Sequence, residues 1–135
     1  MLFLTFLISG CGGKVDLVTQ EISTFEVLSQ HNQIRYDKKL PIFESDEDLD
    51  QSAQEWAESM ATKNRLKHGS FESKFSYRAE NIAWGQNDPE EVLDSWMNSK
   101  GHRANILNKR YTHIGVGTAR RADGRLYWCV QFGGD

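Results

Sequence analysis

Apolar positions recur along this chain at two spacings, helical in its first two thirds and alternating near its end. From Ser23 to Pro41 the spacing is helical: Val27, Leu28 and Ile34 fall on one side, together with His31 and Arg35. Ser23-Thr24-Phe25-Glu26 carries a capping-box pattern, so a helix is predicted to open there, and Pro41 marks its exit loop. A second, longer helix is predicted from Ser45-Asp46-Glu47-Asp48, with Ser45 as cap and the acids at the positive end of the helix dipole. Its buried stripe is Leu49, Ala53, Trp56, Ala57 and Met60. Lys63, Arg65 and Lys67 crowd its far end, and His68-Gly69 is expected to terminate it, so that His68 projects from a helix end. Phe71 to Gln86 is rich in aromatics and turn formers and predicts one short strand near Ile82-Ala83-Trp84. Asp88-Pro89-Glu90-Glu91 starts a third helix, with Val92, Leu93, Trp96 and Met97 facing inward. That helix is expected to run into Gly101, with His102 directly after it and another short helical turn beyond.

The spacing then changes to two. Thr112 to Ala119 and Arg125 to Phe132 read as strands, joined by an Asp123-Gly124 hairpin. Leu126, Trp128, Val130 and Phe132 share one face of the second strand, and Tyr127, Cys129 and Gln131 share the other. Gly115, Gly117 and Ala119 leave one face of the first strand nearly bare, which lets a helix approach closely. With both sheet faces covered, the pattern predicts an α+β fold, a small antiparallel sheet between helical layers.

Composition adds limits. The chain has 135 residues, 39% hydrophobic and 26% charged, enough for one domain with a real core. Its net charge of -3, with Lys109-Arg110 and Arg120-Arg121 as short basic pairs, argues against a nucleic-acid partner. Met1 to Ile8 is almost wholly apolar, too short to span a bilayer and suited to a secretory signal, although no Lys or Arg precedes the apolar run. Ile8-Ser9-Gly10-Cys11 resembles a bacterial lipobox, which would lipidate Cys11 and anchor the protein to a membrane. Residues 1–11 thus read as signal and lipobox, 12–22 as a tether and 23–135 as the folded domain. If Cys11 carries lipid, Cys129 has no partner and is expected to be a buried free thiol, with no disulfide.

His68, Glu80 and His102 stand out as chemistry-bearing groups. Two imidazoles and a carboxylate suit a divalent metal of the zinc type, and equally general acid-base work. Taken singly, each His is more often a surface or hydrogen-bonded residue. There is no HExxH pattern, no GxSxG, no phosphate loop and no CxxC. Asn32, Arg35, Asn81, His31 and His113 read as structural bridges.

The order of motifs resembles the CAP superfamily, also called SCP/TAPS: cysteine-rich secretory proteins, antigen 5 and pathogenesis-related proteins of group one. The resemblance rests on Leu28-Ser29-Gln30-His31-Asn32-Gln33-Ile34-Arg35, Leu40-Pro41, Trp56-Ala57 before His68, and Ala79-Glu80-Asn81-Ile82-Ala83. It continues through Trp96 and Gly101-His102-Arg103-Ala104-Asn105-Ile106-Leu107, the form typical of bacterial members, to Ile114-Gly115-Val116-Gly117 and Tyr127 to Gly133. The resemblance implies an α-β-α sandwich with a cleft lined by two His and two Glu, where some members hold divalent metal. His68, Glu80 and His102 match three of those positions, and Ser99 stands where the second Glu is expected. Ala79 stands where a Gly is usual. The expectation is an exported cell-surface binding or interaction module whose ligand is a lipid, a protein or a wall component. Zinc or another divalent ion would sit on His68 and His102, with Glu80 orienting an imidazole or a bound water. The alternative is a metal-assisted hydrolase of peptidase type using the same cleft.

Overall fold

The computed structural model describes the backbone from Leu17 to Asp135 and side chains from Thr24 onward. Cys11, the lipobox and the apolar leader lie outside the described residues. The elements run α1 (Leu17–Asp37), β1 (Glu44–Ser45), α2 (Glu47–Lys63), β2 (Tyr77–Trp84), α3 (Pro89–Met97), α4 (Lys100–Leu107), β3 (His113–Arg120) and β4 (Leu126–Gly134). The sheet order is β1-β3-β4-β2. The β3-β4-β2 core is antiparallel, as the pattern predicts, and the two-residue β1 adds a parallel edge on β3.

The two faces of β4 separate the layers. Trp128, Val130 and Phe132 pack with Val27 of α1, Val92, Leu93 and Trp96 of α3, and Ile106 of α4. Tyr127 and Cys129 pack on the other side with Ala53, Ala57, Met60 and Ala61 of α2. The result is an α-β-α sandwich, with α2 forming the layer on that second face. Gly115 and Gly117 make that side possible: a Cβ on either would run into the α2 backbone, at Leu49–Asp50 and at Ala53–Gln54. Beyond β1, the outer edge of β3 is satisfied by α2 side chains. Val116 N donates to Asp50 Oδ1 at 2.8 Å, Thr118 N donates to Gln54 Oε1 at 3.0 Å, and Gln54 Nε2 returns a bond to Thr118 O at 2.8 Å. These bonds leave less of the strand edge free to pair with another chain.

Several local expectations change. α1 begins at Leu17, so Ser23 lies inside a helix and not at its cap. Asp46, not Ser45, caps α2: its side chain accepts from Leu49 N, while Ser45 belongs to β1 and pairs with Ile114. α2 ends at Lys63, where Asn64 takes the left-handed conformation at φ 48° and Arg65 N donates to Met60 O. His68 therefore sits in an extended loop beyond the helix. Trp56 is only partly buried, and β2 spans eight residues where the pattern predicts a short strand. α3 stops at Met97, and Gly101 and His102 lie in the first turn of α4.

Candidate functional site

Glu80 is the centre of the site. It lies on β2 opposite Gln131 of β4, with 9% of its surface exposed. A carboxylate buried there needs partners for both oxygens. Oε1 accepts from His68 Nδ1 at 2.9 Å and from the Gly69 amide at 3.0 Å. Oε2 accepts from Gln131 Nε2 at 3.2 Å and faces Cys129 Sγ at 3.6 Å. Cys129 is a free, buried cysteine, and burial, with Glu80 beside it, holds its thiol well above the usual range.

The loop that carries His68 is fixed at both ends. Trp56 Nε1 donates to Lys67 O at 2.9 Å, and the indole lies over Gly69 so closely that a Cβ there would come within 2.8 Å of Trp56 Cε2. The glycine after His68 thus serves the packing of Trp56 and Glu80, and does not end a helix. Because the carboxylate accepts from Nδ1, that nitrogen carries a proton, and in the neutral ring the lone pair then falls on Nε2. The His68 side chain is 60% exposed, so that nitrogen is open to solvent.

His102 comes from the opposite layer. Asn81, next to Glu80 but pointing the other way, is fully buried and donates to His102 O at 3.1 Å. Asn105 Nδ2 closes the clamp on Asn81 Oδ1 at 2.8 Å. The imidazole lies 6.5 Å from the Trp96 ring, which is itself tied to β2 through Nε1 to Ile82 O at 3.1 Å. Burial, and then the charge of His68, lower the His102 pKa and favour its neutral form. His68 and Glu80 thus meet directly, and His102 joins the same strand through its main-chain bond from Asn81. Ser99 is the N-cap of α4, and its side chain makes no capping bond. Among the described residues no three His, Cys, Asp or Glu side chains form a metal-holding group. What these residues have for a metal is two imidazoles, one of them held by Glu80.

Sequence reasoning misses the other partners of Glu80. The alternation of β4 puts Gln131 on the correct face, and a lone amide on an otherwise apolar face is the signal that could have singled it out. Gly69 gives no such signal, since its amide matters and its side chain is absent.

The family model of the cysteine-rich secretory protein family matches residues 28–132, most of the chain. The chain belongs to this family. The CAP domain is similar to the protein YkwD of Bacillus subtilis, 38% identical over 125 residues, covering 82% of this chain and 48% of YkwD. It thus spans about half the length of that relative. It is also similar to the human Golgi-associated plant pathogenesis-related protein 1, at 31% identity with 79% of each chain covered. Among solved structures, an outer surface protein of Borrelia burgdorferi superposes with a TM-score of 0.81 at 22% identity, covering 91% of this chain and 98% of that one. That likeness carries the fold. In this CAP domain His68 and Glu80 are joined directly, His102 is tied through its main-chain carbonyl to Asn81, the neighbour of Glu80, and Ser99 supplies no second carboxylate.

Proposed function

We propose that this CAP domain is an exported binding module, and that His68 and His102 form a weak, reversible site for a divalent metal of the zinc type. The observation that carries the reading is the saturation of Glu80. Both carboxylate oxygens are occupied by protein groups, so neither is available as a general base to a water. The same bonds hold His68 with Nε2 outward, which is what a metal ligand needs. Bound zinc would supply a Lewis acid at the domain surface and a link to a ligand's own donors. His68 and His102 would hold it, and Glu80 would fix the tautomer of His68. Two imidazoles leave coordination positions open, which suits capture of a ligand more than structural closure. Export is supported by the likeness to a Borrelia burgdorferi protein of the outer surface, and no helix among the described residues is long and apolar enough to cross a membrane.

Calorimetric titration tests the site. Zinc is expected to bind the wild type with a dissociation constant on the order of micromolar or weaker. His68→Ala and His102→Ala should each abolish binding, and equal affinity in all three proteins would refute the site. Glu80→Gln should weaken zinc by roughly 10- to 100-fold, the usual effect of losing a group that orients a ligand. Zinc-dependent turnover of a peptide or ester that vanished in His102→Ala would instead favour a hydrolase.

A further inference from the structure

β2 is an edge strand of the sheet, and its bonded and free sides can be told apart. Gly85 N donates to Leu126 O at 2.9 Å, one step past the Trp84–Tyr127 pair. The bonded pairs of the β2-β4 ladder are therefore Ala83–Trp128, Asn81–Val130 and Ala79–Phe132. Arg78, Glu80, Ile82 and Trp84 turn their N–H and C=O groups away from β4. Two contacts agree with this phase: Ile82 O takes the Trp96 indole N–H at 3.1 Å, and Arg78 O faces the Tyr111 hydroxyl at 3.5 Å. Among the described residues nothing accepts from the amides of Arg78, Glu80 or Ile82, and nothing donates to Glu80 O. The opposite edge of the sheet is not left so, because β1, Asp50 and Gln54 take up the outward groups of β3.

The free stretch is recessed but not sealed. Glu80 is 9% exposed as a whole and 5% in its side chain, so its main chain is the more exposed part. The His68 loop lies on one side of it, through Gly69 N to Glu80 Oε1, and α4 on the other, through Asn81 Nδ2 to His102 O. Tyr77 and Arg78, at the start of the strand, are open to solvent. Outward amides on a strand recur every second residue, roughly 7 Å apart. An extended main chain carries carbonyls at that same interval, and its own N–H groups answer Glu80 O. A second copy of the domain fits less well. Its β2 lies equally recessed between loop and helix, so two such edges would meet at their flanking layers first.

We infer that the outer edge of β2, from Arg78 to Ile82, takes one extended peptide segment as an added strand. Main-chain bonds to Arg78 N, Glu80 N, Glu80 O and Ile82 N hold it, and the Trp96 indole on Ile82 O marks where it stops. This names a ligand class for the module proposed above and rests on that reading only in taking the domain as a binding module. No metal takes part.

NMR titration of the full chain with a blocked, alternating threonine-valine pentapeptide, in EDTA, tests the edge. Saturable downfield shifts are expected at the Arg78, Glu80 and Ile82 amides, with affinity in the millimolar range. Ala79 and Asn81, whose N–H groups face β4, should shift less, and Val116 and Thr118 on the far edge should not move. The same pentapeptide N-methylated at every residue should bind at least several-fold more weakly. Arg78→Pro removes one outward donor and no ladder bond, a place where a strand tolerates proline, and should weaken the pentapeptide about fivefold. Arg78→Ala keeps the amide and should bind as wild type does. Absence of saturable shifts, equal shifts at odd and even positions, equal binding of the N-methylated peptide, or equal affinity in Arg78→Pro and Arg78→Ala would each overturn the inference. So would β2 shifts that follow protein concentration alone, which would assign the edge to a second copy. Repeating the titration with zinc keeps the two readings apart. Peptide binding that needs zinc would place the peptide on the metal and overturn the edge, whereas peptide binding in a protein that takes no zinc would sink the metal site alone.

Discussion

Arg35→Leu is expected to destabilise the domain by about 5 kcal/mol, enough to lower its melting temperature by roughly 20 °C. Arg35 is fully buried, and its guanidinium donates to four main-chain carbonyls. Nε reaches Pro41 O at 2.8 Å, one terminal nitrogen reaches Ile106 O at 3.1 Å and Asn108 O at 2.7 Å, and the other reaches Tyr111 O at 3.0 Å. It also stacks over Phe43 at 4.0 Å. One side chain therefore ties α1 to the exit loop at Pro41, to the C-terminal end of α4 and to the entry of β3. Ile106 O and Asn108 O lie at a helix end short of donors, where Asn108 O also takes the Tyr111 amide at 3.3 Å and a cation meets the negative end of the dipole. Leucine would fill much of the space but take the donor from Pro41 O, Ile106 O and Tyr111 O and leave Asn108 O with the Tyr111 amide alone. Arg35→Lys should recover less than half of the loss, because one ammonium cannot span the same fork. Urea unfolding of the three proteins checks this. A loss under about 2 kcal/mol in Arg35→Leu would mean that water reaches the four carbonyls.

The second large effect is a pH dependence set by His31. Its ring is fully buried among Phe43, Trp96 and Phe132. Nδ1 donates to Val27 O at 2.7 Å, and Nε2 has no partner. Burial lowers its pKa from 6.5 to about 4, with Arg35 adding to the lowering and the Val27 bond opposing it. The sign follows from linkage. Above pH 6.5 the group is neutral in both folded and unfolded chains and imposes no cost. Between 6.5 and about 4 the unfolded chain takes up a proton that the folded chain refuses, so stability falls as pH falls. The full loss is about 3 kcal/mol, reached near the folded value and not growing below it. Denaturant unfolding from about pH 7.5 down to about pH 4.5 should show this slope in wild type and a shallower one in His31→Phe. Parallel slopes would show that His31 titrates alike in both states.

Much of this architecture is legible because local signals agree. Asp88 and Pro89 announce α3, and the alternation of β4 puts Trp128 and Tyr127 on opposite faces. The pairing of His68 with Glu80 is legible only through the family resemblance, since they lie twelve positions apart across loop and strand. The misses have physical causes. Ser45 and Asp46 are equally good caps on paper, and a strand pairing with Ile114 decides between them. β1 is two residues long, below any periodicity. β2 reads too short because Glu80 and Asn81 put polar side chains on its two buried faces, where a strand pattern expects apolar ones. These two residues serve the site, which is where local rules are expected to fail.

The bare seam of Gly115 and Gly117 bears on motion. With no side chain between them, α2 and β3 meet backbone to backbone, and Asp50 and Gln54 bond directly to the strand's peptide groups. Helix and strand then have no layer of rotamers to absorb a small slide. They should open together or not at all, as one cooperative unit. Deuterium uptake would show this as a block: the Val116 and Thr118 amides, although bonded only to side chains, should exchange as slowly as the centre of β4 and only through global unfolding.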